Sequence, residues 1–186
     1  MHHPFEWVQA AVNIIVALGL TRLVTAFVNL HSIRRSVRLD WIPVAWAANI
    51  FFLLLQFSWV FYTLREIVQQ WTFGLFLGVL AFVMILFAAA ALVLPTTERQ
   101  AGDDLEEWFR EHGRWALPFL VLYAVLSYIF NWYFGGSGPE SNPASAITII
   151  LATTTFLVRS RRIQVATTIL SLMLTVAIAF EMVRSG

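Results

Sequence analysis

The chain has 186 residues, 59% of them hydrophobic and 12% charged. A soluble domain carries about a quarter charged residues, so this composition is built for lipid rather than water. A net charge of +1 gives no basis for nucleic-acid binding, and the absence of cysteine excludes thiol catalysis, thiolate metal sites and disulfides.

Residues 1–7 hold no lysine or arginine, and the first apolar run is too long for a signal-peptide core, so no cleavable leader is expected. That run covers residues 5–30 and ends in a polar turn with Arg34, Arg35 and Arg38. A second run, 41–64, carries Pro43 in its first turn, where a missing N–H costs little. The third, 71–94, stops at Pro95. A surface helix is predicted over 103–112, with Asp103 as N-cap and Gly113 as stop. Leu105, Trp108, Phe109 and His112 fall on one face of it, while Glu106, Glu107, Arg110 and Glu111 fall on the other. An acidic face is unsuited to anionic lipid, so its expected neighbours are the protein's own arginines. The fourth run is 114–134, closed by Gly135 and Gly136; Asn142 and Pro143 open the fifth, 143–158, and the sixth is 163–183.

A crossing needs about 20 apolar residues, and the fifth run is the shortest and most polar. The pattern predicts an all-α, polytopic integral membrane protein: a single transmembrane domain over 1–186, with six transmembrane helices, short loops and one cytoplasmic interfacial helix. Arginine supplies every basic residue. The loops after runs one, three and five hold Arg34, Arg35, Arg38, Arg99, Arg110, Arg114, Arg159, Arg161 and Arg162, against Arg65 and Arg184 on the other side. That bias puts both termini outside, in a cell membrane of the bacterial inner-membrane type. Tryptophans follow the two boundaries: Trp7, Trp59, Trp71 and Trp132 near the outer one, Trp41, Trp46, Trp108 and Trp115 near the inner one.

Arg22 lies inside the first run, where a bare charge is costly and must face protein, water or the boundary. Runs one and two are antiparallel about residue 35, so matching depths pair Arg22 with Asn49, Asn13 with Gln56, and Glu6 with Arg65. Asn49, Gln56 and Thr63 recur every seven residues on one face. Asn13 and Arg22 point in opposite directions, which predicts a central first helix with protein on two sides. The third run has only apolar side chains between Phe73 and Leu94, which predicts a peripheral helix; Gly74 and Gly78 give it a flat interface for another helix or a second copy. Glu181, with Arg184 at i+3, is either an exposed ion pair or a proton-carrying carboxylate. Two small-residue stripes, Ala144–Thr148–Ala152–Thr155 and Thr168–Ser171–Thr175–Ala179, predict close packing of the last two helices.

No aspartate or histidine lies deep in a run, which removes an aspartyl dyad, a buried Ser–His pair and bis-histidine haem ligation. His31 and His112 would give a metal two ligands without a third. Enzyme activity, a metal and a cofactor are therefore not expected. The polar set Arg22, Asn13, Asn49, Gln56, Thr63 and Glu181 supports two readings: bonds that hold helices together, or the lining of a small-solute or ion path or ligand site. A third is an accessory or assembly subunit, as a homo-oligomer or within a larger membrane complex, its other partners being membrane lipids.

Overall fold

The computed structural model describes residues 4–35, 37–68, 72–95, 104–135 and 143–185. They form seven α-helices: α1 (Pro4–Ser32), α2 (Trp41–Ile67), α3 (Phe73–Leu92), α4 (Leu105–Glu111), α5 (Ala116–Gly135), α6 (Pro143–Leu157) and α7 (Arg161–Ser185), with a 3₁₀ turn, Gly113–Trp115, between α4 and α5. Among the described residues the one bridge of strand type joins Arg38 to Asp104. Five helices (α1, α2, α3, α5 and α7) are long and apolar enough to cross a membrane. At 15 residues α6 is shorter, about 22 Å at 1.5 Å per residue.

Packing neighbours run α2–α3–α5–α6–α7 and back to α2, with α1 laid against α2 and α3. The seam of α1 is Val8, Val12, Val16, Leu23, Ala26 and Leu30, all buried and spaced by three or four residues or their sum. Within it Gly19 allows the closest approach: a Cβ there would stand 3.0 Å from Leu54 Cδ1 on α2 and 3.8 Å from Phe87 on α3. At the other end of the bundle from the arginine-rich loops, rings link four helices. Phe5 stacks on Phe61 at 5.6 Å, Phe57 on Phe82 at 5.4 Å, and Phe82 meets Tyr123 at 4.9 Å. Such pairs each add about 0.5–1.5 kcal/mol beyond burial.

Two expectations are corrected by this arrangement. The first helix is not the central one: half of the α2 span is buried, against 28% for both α1 and α3. Polarity did not select burial, because α3 packs an all-apolar face on three neighbours while α1 leaves a whole side uncovered. Trp46, expected in the inner belt, does not face outward as the other belt residues do. It is 1% exposed and stands in the core with Ile42, Ile50 and Leu54. Trp7, Trp41, Trp59, Trp115 and Trp132 are exposed, as belt residues would be; Trp71 lies outside the described residues.

Candidate functional site

The polar side chains of the span region gather in three places. The first is the end of α3. Pro95 halts the chain there, leaving the last helical carbonyls without backbone donors. Arg22 reaches across from α1 and fills that need: one terminal nitrogen, Nη2, donates to the carbonyl of Ala91 at 3.0 Å and of Leu94 at 2.8 Å. The negative end of the α3 dipole receives a cation, as the macrodipole favours. Nη1 is also buried and has no hydrogen-bond partner among the described residues. Arg22 is thus shielded by protein but not paired with Asn49, and that depth match is corrected. Its partner is backbone, which depth matching of side chains cannot reveal.

The second place is the seam between α2 and α7. Asn49 Nδ2 donates to Ser171 Oγ, and Thr175 Oγ1 donates to Asn49 Oδ1. One turn or two further along, Gln56 Nε2 donates to the Thr175 carbonyl at 3.0 Å. Asn49 and Gln56 of the seven-residue stripe therefore face α7 rather than α1. Asn13, expected beside Gln56, is exposed and has no hydrogen-bond partner among the described residues. The Thr63 and Arg65 side chains lie outside the described residues. Thr168, Ser171 and Thr175 of the four-residue α7 stripe are buried, and Ser171 and Thr175 bond to Asn49 on α2 rather than to the α6 stripe they were expected to meet. The α6–α7 pair is joined by Thr155 and Thr167, whose hydroxyls meet at 2.7 Å, and Gln164 Nε2 caps α6 by donating to the Val158 carbonyl at 3.1 Å.

The third is a charged clasp at the arginine-rich end; the meeting of α4 carboxylates with arginines was expected from sequence, the part played by Asp40 was not. Asp40 sits immediately before α2, and its Oδ1 accepts from the Ile42 N–H at 3.3 Å, as an N-cap does. Arg161, the first residue of α7, grips the same buried carboxylate with two parallel bonds, Nη1 to Oδ2 at 2.7 Å and Nη2 to Oδ1 at 2.5 Å. Its Nη1 also lies 3.3 Å from Glu106 Oε2 on α4. The α4 helix is held further by a backbone bond from Leu105 N–H to the Arg38 carbonyl at 3.1 Å. Its N-cap is Asp104, which accepts from the Glu106 N–H at 2.8 Å; Asp103, the expected cap, lies outside the described residues. Leu105 and Phe109 are buried as the amphipathic pattern requires, whereas His112 is exposed. Gly113 ends the helix where a Cβ would fall 2.6 Å from Phe109 and 2.7 Å from Trp108. The signal for the clasp was present: an aspartate in N-cap position before Pro43, and an arginine opening a helix at the same end.

The remaining expected positions stand apart. Glu181 and Arg184 are exposed near the end of α7. Gly74 and Gly78 are exposed on α3, and nothing lies within 4 Å of where a Cβ would be added at either. Comparison of the chain with protein-family models, with curated proteins and with solved structures gives no match.

Proposed function

We propose that the chain is a non-enzymatic assembly or accessory subunit of a larger membrane complex, seated in a bacterial inner membrane. In this reading α6 crosses as a sixth, short span, both termini lie outside and α4 lies on the cytoplasmic face, as the arginine bias favours. One observation carries the function: three of the side chains suited to lining a solute path, Arg22, Asn49 and Gln56, are engaged with neighbouring helices. Asn49 is bonded to Ser171 and Thr175, Gln56 to Thr175, and Arg22 to the α3 carbonyls. Groups spent on packing are poorly placed to exchange ligands with a moving solute. Asn13, Thr21 and Thr25 of α1, exposed and without hydrogen-bond partners among the described residues, instead point away from the bundle.

A small-solute or ion path near Arg22 is the second reading, favoured by the buried Nη1, which has protons to offer an anionic group. Purification from native membranes separates the two. An assembly subunit co-purifies with defined membrane partners or as an oligomer and is inert in liposomes. Ion or anion flux through the purified chain in liposomes, abolished by Arg22→Leu, would replace the first reading with the second.

A further inference from the structure

On α1 the buried seam centres on Val12, Val16, Gly19 and Leu23. With 3.6 residues per turn, the side diametrically opposed carries Ala10, Ile14, Thr21 and Val28, flanked by Ala17 and Thr25, and each of these is exposed. Crossing that side obliquely is an i, i+4 ridge of Asn13, Ala17, Thr21 and Thr25, also all exposed. None of the three polar members has a hydrogen-bond partner among the described residues.

In water such a ridge would mean nothing. Here α1 is long and apolar enough to span, and the depth changes the meaning. Taking α1 as centred on the bilayer, these four residues lie within about 11 Å of the midplane, inside a hydrocarbon half-thickness of about 15 Å. A carboxamide and two hydroxyls face acyl chains that can neither donate nor accept. Hydroxyls in a helix can turn back on their own carbonyls; the Asn13 amide, exposed and without a partner among the described residues, is the group most in need of one.

We propose that this ridge is a contact between two copies of the chain, with their α1 helices parallel. The inference rests on the assembly reading above and names its partner. Three observations favour a second copy over a foreign helix. Two chains inserted in the same orientation are related by an axis along the membrane normal, so every residue meets its own counterpart at its own depth. Each polar member of the ridge is its own complement, because an amide and a hydroxyl both donate and accept. No charge interrupts the ridge from Asn13 to Thr25, so self-pairing brings no like-charge repulsion. Ala17, small and near the crossing point, lets the backbones approach, and i, i+4 ridges packed on each other give the right-handed crossing of about −40° seen in small-xxx-small pairs. That crossing splays the helices toward their ends and separates the two copies of Glu6, which is exposed on the same side. The glycine face of α3 is the rival surface, but Gly74 and Gly78 leave no polar group to be satisfied.

The chain lacks cysteine, so a single introduced thiol reports its own neighbours. Ala17→Cys and Thr21→Cys, oxidised in native membranes, should each give a band of twice the monomer mass, while Gly78→Cys should not. In mild detergent, Ala17→Ile should weaken the dimer roughly tenfold or more, and Asn13→Leu should weaken it by a smaller factor. Both residues face outward, so monomer folding is not at stake and is checked by helical circular dichroism. No dimer band at Ala17 or Thr21 in inserted protein overturns the proposal, as does a dimer band at Gly78 alone. A crosslink from Ala17→Cys to a different protein also overturns it, yet leaves the assembly reading standing; a monomer that co-purifies with nothing removes both.

Discussion

Asn49 on α2 holds Ser171 and Thr175 of α7 at the same time, with its amide nitrogen donating to one and its oxygen accepting from the other. The two hydroxyls are four residues apart, so one side chain spans a full helical turn of its neighbour. Replacing it leaves both without an interhelical partner. Interhelical bonds in membrane proteins average about 0.6 kcal/mol, so Asn49→Leu should cost about 1–2 kcal/mol and Gln56→Leu, which loses one bond, about half that. Unfolding titrations in mixed micelles measure the difference, and equal costs for the two would contradict the seam.

Removing the cation at the end of α3 should have a local signature. Arg22→Met strips donors from the Ala91 and Leu94 carbonyls while keeping most of the side-chain volume. Charge-assisted bonds of this kind contribute about 1.5–3 kcal/mol. Hydrogen exchange should quicken in the last turn of α3 before it changes anywhere in α5, and Arg22→Lys should restore part of the protection. Uniform acceleration over the whole bundle is the result that would count against a capping role.

The two ion pairs at the arginine-rich end should differ sharply in a double-mutant cycle. Asp40 is buried and held by a bidentate guanidinium. The Arg38–Asp104 pair is 3.9 Å apart with Arg38 85% exposed. Coupling of about 2–4 kcal/mol is expected for Asp40 with Arg161, discounted from a fully buried pair because Arg161 is partly wet. For Arg38 with Asp104 at most about 0.5 kcal/mol is expected, falling further in salt. Similar couplings would show that the fork geometry contributes nothing.

Reporter fusions placed after Arg38 and after Glu140 should report opposite sides of the membrane. This follows if α2, α3 and α5 each cross and the arginine loops stay inside. A common side for both fusions would remove one crossing between them and undo the proposed orientation.

Helix positions were largely legible because long apolar runs and their stops at Pro95 and Gly113 are local signals. Partners were not. The hairpin between α1 and α2 fixes how deep Asn49 and Gln56 lie, but not which way they point around the helix axis. Helices α1, α3 and α7 all flank α2, and the sequence-distant α7 took Asn49 and Gln56. Trp46 failed for the same reason: its distance from the boundary was read, its direction into the core was not. Arg22 was recognised as needing shelter, yet a backbone carbonyl carries no residue identity by which sequence could name it. The clasp joins positions 121 apart, beyond any local pattern, although its two halves were each visible as a cap and a helix start.

The short α6 has a consequence for the surrounding lipid. It packs on α5 and α7, while the 29 residues of α1 lie on the α2–α3 side. With α6 crossing as proposed, a bilayer about 30 Å thick in its hydrocarbon would meet about 43 Å of helix on one flank and about 22 Å on the other. Acyl chains would then thin along α6, or the bundle would lean, and each ångström of misfit costs a fraction of a kcal/mol. Such a bundle would carry its own gradient of membrane thickness, which would orient it relative to any neighbour that prefers a thinner or thicker bilayer.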